Sequence, residues 1–302
     1  MIFLNNKRSF LDGSALVTAL LLLCTLSPLT PWYVAAFGSF CAILFGKIVW
    51  GGLGKNRLNP ALVGREFMSV FFAAVMTSPN LWKSQHLVHI SSSDLFSTAR
   101  LDFLLDYLSS LVFKTSGAMG EYSILAIILG GLYLLIRKRI SWHIPLTLLA
   151  TWCICTWLNG TDPLSYSIAG TLLGTIFMAT DMPSSPTTEF RKIYYGTLIG
   201  ICTFIFVKAG IRFEYMSFSI LLMNGFSERI SQVFKPINWG ARTNYHQKLE
   251  AVILLTIHIA IVAAAIIALY YYHLLHYAVY LYLAFIIYKF NYSFSKKIHN
   301  YV

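Results

Sequence analysis

Three acidic residues, Glu66, Glu121 and Asp181, lie within or at the edge of long apolar runs. A carboxylate in such surroundings is expensive unless it is paired or used, for instance to pass a cation or hold a polar group. Asp181 is the strongest of the three. It sits in FMATDMPSSPTTEF (177–190), where two prolines among serines and threonines close an apolar segment. A second interruption, KIVWGGLGKNRLNPALVGREF (47–67), carries Gly51, Gly52 and Gly54, then Asn56, then Asn59–Pro60, a break followed by a helix restart. Broken backbone at membrane depth is tolerated only where protein buries it or where it lines a cavity. Gly51, Gly52, Asn56, Asn59 and Asp181 are therefore expected to border a path across the bundle. Taken singly, each break is equally well ordinary loop chemistry at a helix end.

Other reactive residue types carry less. Cys24, Cys41, Cys153, Cys155 and Cys202 all fall inside apolar runs without a C-x-x-C pair, so they read as small apolar side chains. Arg65 and Glu66 are adjacent and cannot share a helix face. Glu121 at the start of an apolar run is also placed where a helix dipole favours a negative charge. His273 and His276 in YYYHLLHY stand near a helix end, where amphipathic rings lodge at the membrane interface. The polar stretch SSSDLFSTARLDFLL (91–105) interrupts the apolar pattern most sharply. In it, Arg100 reads either as a solvated loop charge or as a bidentate phosphate ligand.

The elements that must position these residues follow from composition. Of 302 residues, 57% are hydrophobic and 12% charged. Soluble domains carry about 25% charged residues, so the chain reads as a membrane protein. Its net charge of +11 does not indicate nucleic acid, because Lys and Arg cluster between apolar runs. About ten segments suit a spanning helix: 14–30, 32–50, 60–76, 121–137, 141–158, 165–181, 193–210, 214–227, 250–271 and 275–291. The start resembles a signal peptide but lacks a small-residue cleavage site, so it reads as a retained first helix.

Alternating sides from a cytoplasmic start places 17 of the 23 basic residues inside, five outside and Arg65 within the membrane, the bias expected of membrane loops. Both termini are then cytoplasmic and 77–120 is the long external segment, with LDFLLDYLSSLVF suited to lying in the interface. The basic, aromatic loop 228–249 is expected to meet anionic headgroups. The fold class is thus all-α, a polytopic membrane bundle. Its two halves each carry a broken helix, which suggests that they are related.

Four blocks carry a family resemblance: 12–67, GAMGEYSILAIILGGLYLLIRKRISWHIPL (117–146), FMATDMPSSPTTEFRKIYYGTLIG (177–200) and SILLMNGFSERISQVFKPINWG (219–240). In this order they resemble the membrane subunits typified by the D subunit of the Rnf complex and the B subunit of the sodium-pumping NADH:quinone oxidoreductase. The short loops are closer to the Rnf type. The resemblance divides the chain into a membrane domain over 1–249 and an added C-terminal helix pair over 250–302. Family members usually carry further membrane helices ahead of this block.

The resemblance implies a subunit of a redox-driven, ion-translocating electron-transport complex in the bacterial inner membrane, with other membrane and soluble subunits as partners. It also implies FMN, attached through phosphate to a threonine within an outer-face stretch of the form Asp-x-x-Ser/Thr-Gly-Ala-Thr. Here Asp94, Ser97 and Ala99 match, Thr98 replaces the glycine, and Arg100 replaces the acceptor threonine. A guanidinium has no hydroxyl for a phosphoester. That leaves Thr98 or Ser97 as a shifted acceptor, or a non-covalent flavin such as FMN or riboflavin. On this reading the path bordered by Gly51, Gly52, Asn56, Asn59 and Asp181 serves an ion, a quinone or a flavin. The chain has no dinucleotide fingerprint, so any nicotinamide or ferredoxin chemistry falls to soluble partners. Two alternatives stay open: a cofactor-free assembly subunit, and a small-solute transporter or channel of similar fold.

Overall fold

The structure is a computed structural model that describes residues 12–78, 89–90, 118–160, 164–235 and 245–299, with side chains described up to Lys289 and excluding 89–90. Its helices are α1 (Ser14–Cys24), α2 (Trp32–Gly46), α3 (Pro60–Phe71), α4 (Ala73–Met76), α5 (Ile124–Ile136), α6 (His143–Leu158), α7 (Ile168–Leu173), α8 (Glu189–Lys208), α9 (Tyr215–Val233), α10 (Tyr245–Tyr271) and α11 (Leu275–His299). The segments Trp32–Trp50, Glu189–Lys208 and Tyr245–Tyr271 are long and apolar enough to cross a bilayer, and five shorter apolar helices accompany them. The chain is a helical membrane protein. Its exposed residues include Trp32, Ile136, Phe190 and Leu281, each more than 70% accessible. Apolar surface on that scale is stable against lipid tails and not against water.

Local sequence explains where the helices begin. Asn59 caps α3 by accepting from the Ala61 and Leu62 amides at 3.0 and 3.4 Å, with Pro60 at the first helical position. Ser123 caps α5 through the Ala126 amide, and Ser167 caps α7 through the Gly170 amide at 3.1 Å. Between α2 and α3, Gly51, Gly52 and Gly54 take φ values of 109°, 92° and 80°, a region that side chains rarely enter. After Leu173 the helix widens into a π turn over Gly174–Met178, a departure common at functional sites.

Small residues set the packing. A Cβ on Gly64 of α3 would lie 2.5 Å from the Gly38 carbonyl oxygen of α2, and one on Gly46 would lie 2.7 Å from Pro60 Cα. On α8, Gly196 and Gly200 face the Ile144 and Leu148 carbonyls of α6 in the same way, at 2.9 and 2.8 Å. Without water to drive helices together, such close backbone approach supplies the van der Waals contact that holds a membrane bundle. The largest apolar core joins α6, α7, α8, α9 and the inner face of α10 around Tyr195, Phe206, Ile199 and Met223. A second core lies under α1, α2 and α3.

The structure refines several expectations. The third expected span is two helices, α3 and α4, broken at Phe72. The eighth runs on to Val233, so Glu228 and Arg229 lie on α9 and not in a loop. Within the expected outer loop, His89–Ile90 pairs antiparallel with Leu164–Ser165, a two-residue ladder in an otherwise helical chain. The C-terminal helices separate: α10 packs on α9, while α11 packs on α3.

Candidate functional site

At one end of the bundle the two breaks meet. The Asn56 amide donates to Asp181 Oδ2 at 3.2 Å, and the Ser184 hydroxyl donates to the same oxygen at 2.7 Å. Asn59, already the cap of α3, donates its Nδ2 to the Met178 carbonyl at 3.1 Å. The π turn ends here: the Ala179 amide bonds the Gly174 carbonyl five positions back, and the Met178 carbonyl, at the helix end, accepts from the Asp181 amide at 3.4 Å as well as from Asn59. Asn56 and Asn59 are buried, with 3% and 1% accessibility, and Asp181 is half-buried.

One cation, Lys47, acts on Asp181 without forming an ion pair with it. Lys47 donates to the Ser14 carbonyl at 2.8 Å and to the Thr18 hydroxyl at 3.1 Å, and its ammonium acts favourably on the Asp181 carboxylate. One polar atom is left over: Asn56 Oδ1 is buried with no hydrogen-bond partner. An orphaned acceptor beside a carboxylate invites a group that donates an N–H or O–H. The cluster can therefore hold a polar ring edge, or a proton or cation at Asp181.

Of the expected path residues, the structure joins Asn56, Asn59 and Asp181. Gly51 and Gly52 form the more exposed turn that lets the chain return toward Asn56. Ser184 and Lys47 were not singled out in the sequence, although a serine three residues after an aspartate is a familiar local hydrogen-bonding arrangement. The stretch holding Asp94, Ser97, Thr98, Ala99 and Arg100 lies outside the described residues.

The other acidic residues go elsewhere. Glu121 accepts from the Ser167 hydroxyl at 2.7 Å, against the N-terminus of α7 and not α5. Arg65 is 9% accessible and donates to the Thr25 and Phe213 carbonyls at 2.6 and 3.2 Å. Arg65 and Glu121 both border a small cavity of about 50 Å³. Glu66 bonds weakly to Ser69 at 3.5 Å.

A larger cavity of about 420 Å³ opens beside the Asp181 cluster, bounded by the Arg57–Leu58 turn, residues 183–187, α9 and α11. Trp50 forms one wall. Its indole N–H donates to the Tyr282 hydroxyl of α11 at 3.2 Å, and Tyr282 in turn donates to the Phe45 carbonyl at 3.0 Å. Lys289 of α11 lies 3.4 Å from the centre of the Trp50 ring and Arg57 lies 5.4 Å from it, so two cations use one aromatic face system.

Comparison with known proteins gives the family of the chain. The model of the NQR2, RnfD, RnfE family matches residues 2–240. Among similar proteins is the D subunit of the proton-translocating ferredoxin:NAD(+) oxidoreductase complex of Clostridium ljungdahlii, 34% identical over 257 residues, covering 79% of this chain and 78% of that protein. Another is the D subunit of the Na(+)-translocating ferredoxin:NAD(+) oxidoreductase complex of Acetobacterium woodii, 37% identical over 242 residues, covering 76% and 73%. A third is the D subunit of the ion-translocating oxidoreductase complex of Pseudomonas paraeruginosa, 34% identical over 261 residues and covering 76% of each. All four expected blocks fall within the matched stretch, and α10 and α11 follow it. The chain belongs to the NQR2, RnfD, RnfE family.

Proposed function

We propose that this chain is the D-type membrane subunit of a redox-driven, ion-translocating complex, and that it holds a non-covalent flavin at the Asn56–Asn59–Asp181 cluster. Its partners are the other membrane and soluble subunits of that complex, in the bacterial inner membrane. The broken ends carrying Gly51 and Asp181 face the cytoplasm, as the basic loops require. Residues 77–120 face outward, and the C-terminal pair from 250 onward is an addition to the family domain.

The observation that carries the flavin assignment is the buried, unpartnered Asn56 Oδ1 beside Asp181. An isoalloxazine ring presents an N–H, which suits a site whose one unengaged group is an amide oxygen. Bound there, a flavin would supply one- and two-electron transfer. The chain's own residues bind and orient: Asn56 offers the free acceptor, Asn59 fixes the start of α3 against Met178, and Asp181 holds Asn56 and Ser184 in place. A phosphoester at position 100 does not fit, since Arg100 has no hydroxyl.

The test is to coexpress the chain with its native neighbours, purify it and measure flavin twice. Fluorescence at the band on a denaturing gel reports covalent attachment, and flavin released from native protein reports the non-covalent form. A dark band with released flavin, lost in Asn56→Ala, is the expected result. Flavin absent in both measurements sinks the assignment and leaves a cofactor-free assembly subunit. A fluorescent band abolished by Thr98→Ala would place the flavin on the outer stretch instead.

A further inference from the structure

The cavity beside the Asp181 cluster has two unlike sides. One is polar: Ser185, Thr187, Ser227 and Ser231 line it, beside Ser184, whose hydroxyl proton is given to Asp181. Asn224 adds a free donor. It is 3% accessible, its Oδ1 accepts from the Tyr195 hydroxyl, and its Nδ2 is buried with no partner. The other side is aromatic, built from Trp50, Tyr282 and Phe285. Phe285 lines the cavity and is also 53% accessible, in helical register with Leu281 and Tyr288, which are 71% and 70% accessible. The polar chamber is thus continuous with an apolar stripe on the outside of α11. Arg57 and Glu228 of its lining pair at 3.1 Å, and Lys289 lies over the Trp50 wall, a net charge of one positive unit.

We propose that this cavity is a binding site for an anionic phospholipid, with the headgroup phosphate on Asn224 and the serine and threonine hydroxyls, and an acyl chain along the α11 stripe. A phosphate offers acceptors to the Asn224 amide and to hydroxyls that can donate, while the lining carboxylate, Glu228, is already paired with Arg57. The net positive charge matches that of a phosphate, as in basic pockets between helices at the cytoplasmic face of membranes. The aromatic stripe supplies what a free phosphate would not need. A volume of about 420 Å³ lies within the range of ligand sites. The polar side belongs to the family-matched stretch, and α11, which follows that stretch, adds Tyr282 and Phe285.

Gly225 lines the cavity, and a Cβ built there meets nothing within 4 Å. Gly225→Phe therefore fills the chamber without moving the helix. Asn224→Asp keeps the acceptor for Tyr195 and replaces the free donor with an oxygen that repels phosphate. The experiment puts the full-length protein into nanodiscs of phosphatidylcholine and phosphatidylglycerol, re-extracts it in detergent, and counts retained lipid by native mass spectrometry.

Wild type is expected to keep one phosphatidylglycerol, and both variants to keep it at least about tenfold less, the ratio for losing a hydrogen bond to a charged group. Equal retention in wild type and Gly225→Phe overturns the proposal. So does phosphatidylcholine retained as well as phosphatidylglycerol, or inorganic phosphate displacing the lipid at millimolar concentration. Flavin, not lipid, lost in Gly225→Phe would also overturn it, by giving the cavity to the flavin. Lipid retention is read separately from the flavin content of Asn56→Ala, so either assignment can fail alone.

Discussion

Trp50 and Tyr282 are 232 positions apart in the chain and are joined by an indole N–H···O hydrogen bond of 3.2 Å. The contact ties the C-terminal helix to the turn that carries Gly51 and Gly52. It is reinforced below by Tyr282, Val279 and Leu283 against Cys41, Val63 and Phe67. Since α11 packs more on α3 than on α10, this latch is what places α11 against the family domain.

Tyr282→Phe removes the hydroxyl that serves both the Trp50 indole and the Phe45 carbonyl. Leaving buried partners unsatisfied costs about 1–3 kcal/mol, so the variant should unfold at a lower temperature in detergent than wild type. Trp50 emission should also shift, because its N–H loses a partner. An unchanged melting curve with unchanged emission would mean that α11 is held by its apolar contacts alone.

Glycines in two positions should respond in opposite ways to the same change. Gly64→Ala forces a Cβ to 2.5 Å from the Gly38 carbonyl and 2.8 Å from the Ala42 Cβ. Neither backbone can yield easily, and overpacking of this kind costs about 1–3 kcal/mol. Gly225→Ala places its Cβ in open space within α9 and should stabilise by roughly 0.5–1 kcal/mol. Thermal unfolding of the two variants beside wild type decides. Equal effects would show that the α2–α3 contact is looser than these distances.

Much of this was legible in the residues, and the reasons it was legible also explain what was not. Apolar run length marks helices because the bilayer permits little else, so each of the ten expected spans contains helix. Asn59–Pro60 announced its own cap, since cap and first-turn chemistry are local. The four blocks identified the family because collinear motifs survive divergence.

What the sequence hid was long-range. Nothing near Asn224 signals that its oxygen meets Tyr195, that its nitrogen is buried without a partner, or that the residue lines a cavity. Nothing near Tyr282 signals Trp50. The split of α3 at Phe72 lacks a proline or glycine at the break, and packing, not propensity, sets it. Asp181 was readable as a buried acid, but its bond to Asn56 joins two breaks 125 positions apart.

Asn59 has two separable jobs, and substitution can split them. Serine at 59 retains an oxygen to cap α3 but has no amide for the Met178 carbonyl. Alanine retains neither. Asn59→Ser should cost about 1 kcal/mol, the net worth of one hydrogen bond, and Asn59→Ala about 1 kcal/mol more for the lost cap. If the two variants melt together, the cap contributes nothing beyond the packing of α2 on α3.

The Asn56–Asp181 pair permits a swap that tests folding and ligand holding side by side. Asn56→Asp alone sets two carboxylates at the 3.2 Å spacing now spanned by a hydrogen bond. Both cannot stay ionised there without penalty, so the variant should lose roughly 2–4 kcal/mol at neutral pH, on the order of a like-charge contact near a protein surface. Lowering the pH protonates one of the two and should recover much of that loss.

The double variant Asn56→Asp with Asp181→Asn restores an amide–carboxylate pair with donor and acceptor exchanged. The new amide nitrogen stands where Oδ2 accepted from both Asn56 and Ser184, so the Ser184 hydroxyl turns to accept from it. Its melting temperature should return to within a few degrees of wild type, as coupling between contacting residues requires. Flavin content should return with it, because Asp at 56 keeps a free oxygen at the Oδ1 position while the new amide engages only the other oxygen. Stability and flavin rescued together would support an acceptor oxygen at position 56 as the contact to the ring. Stability rescued without flavin would count against Asn56 Oδ1 as that contact.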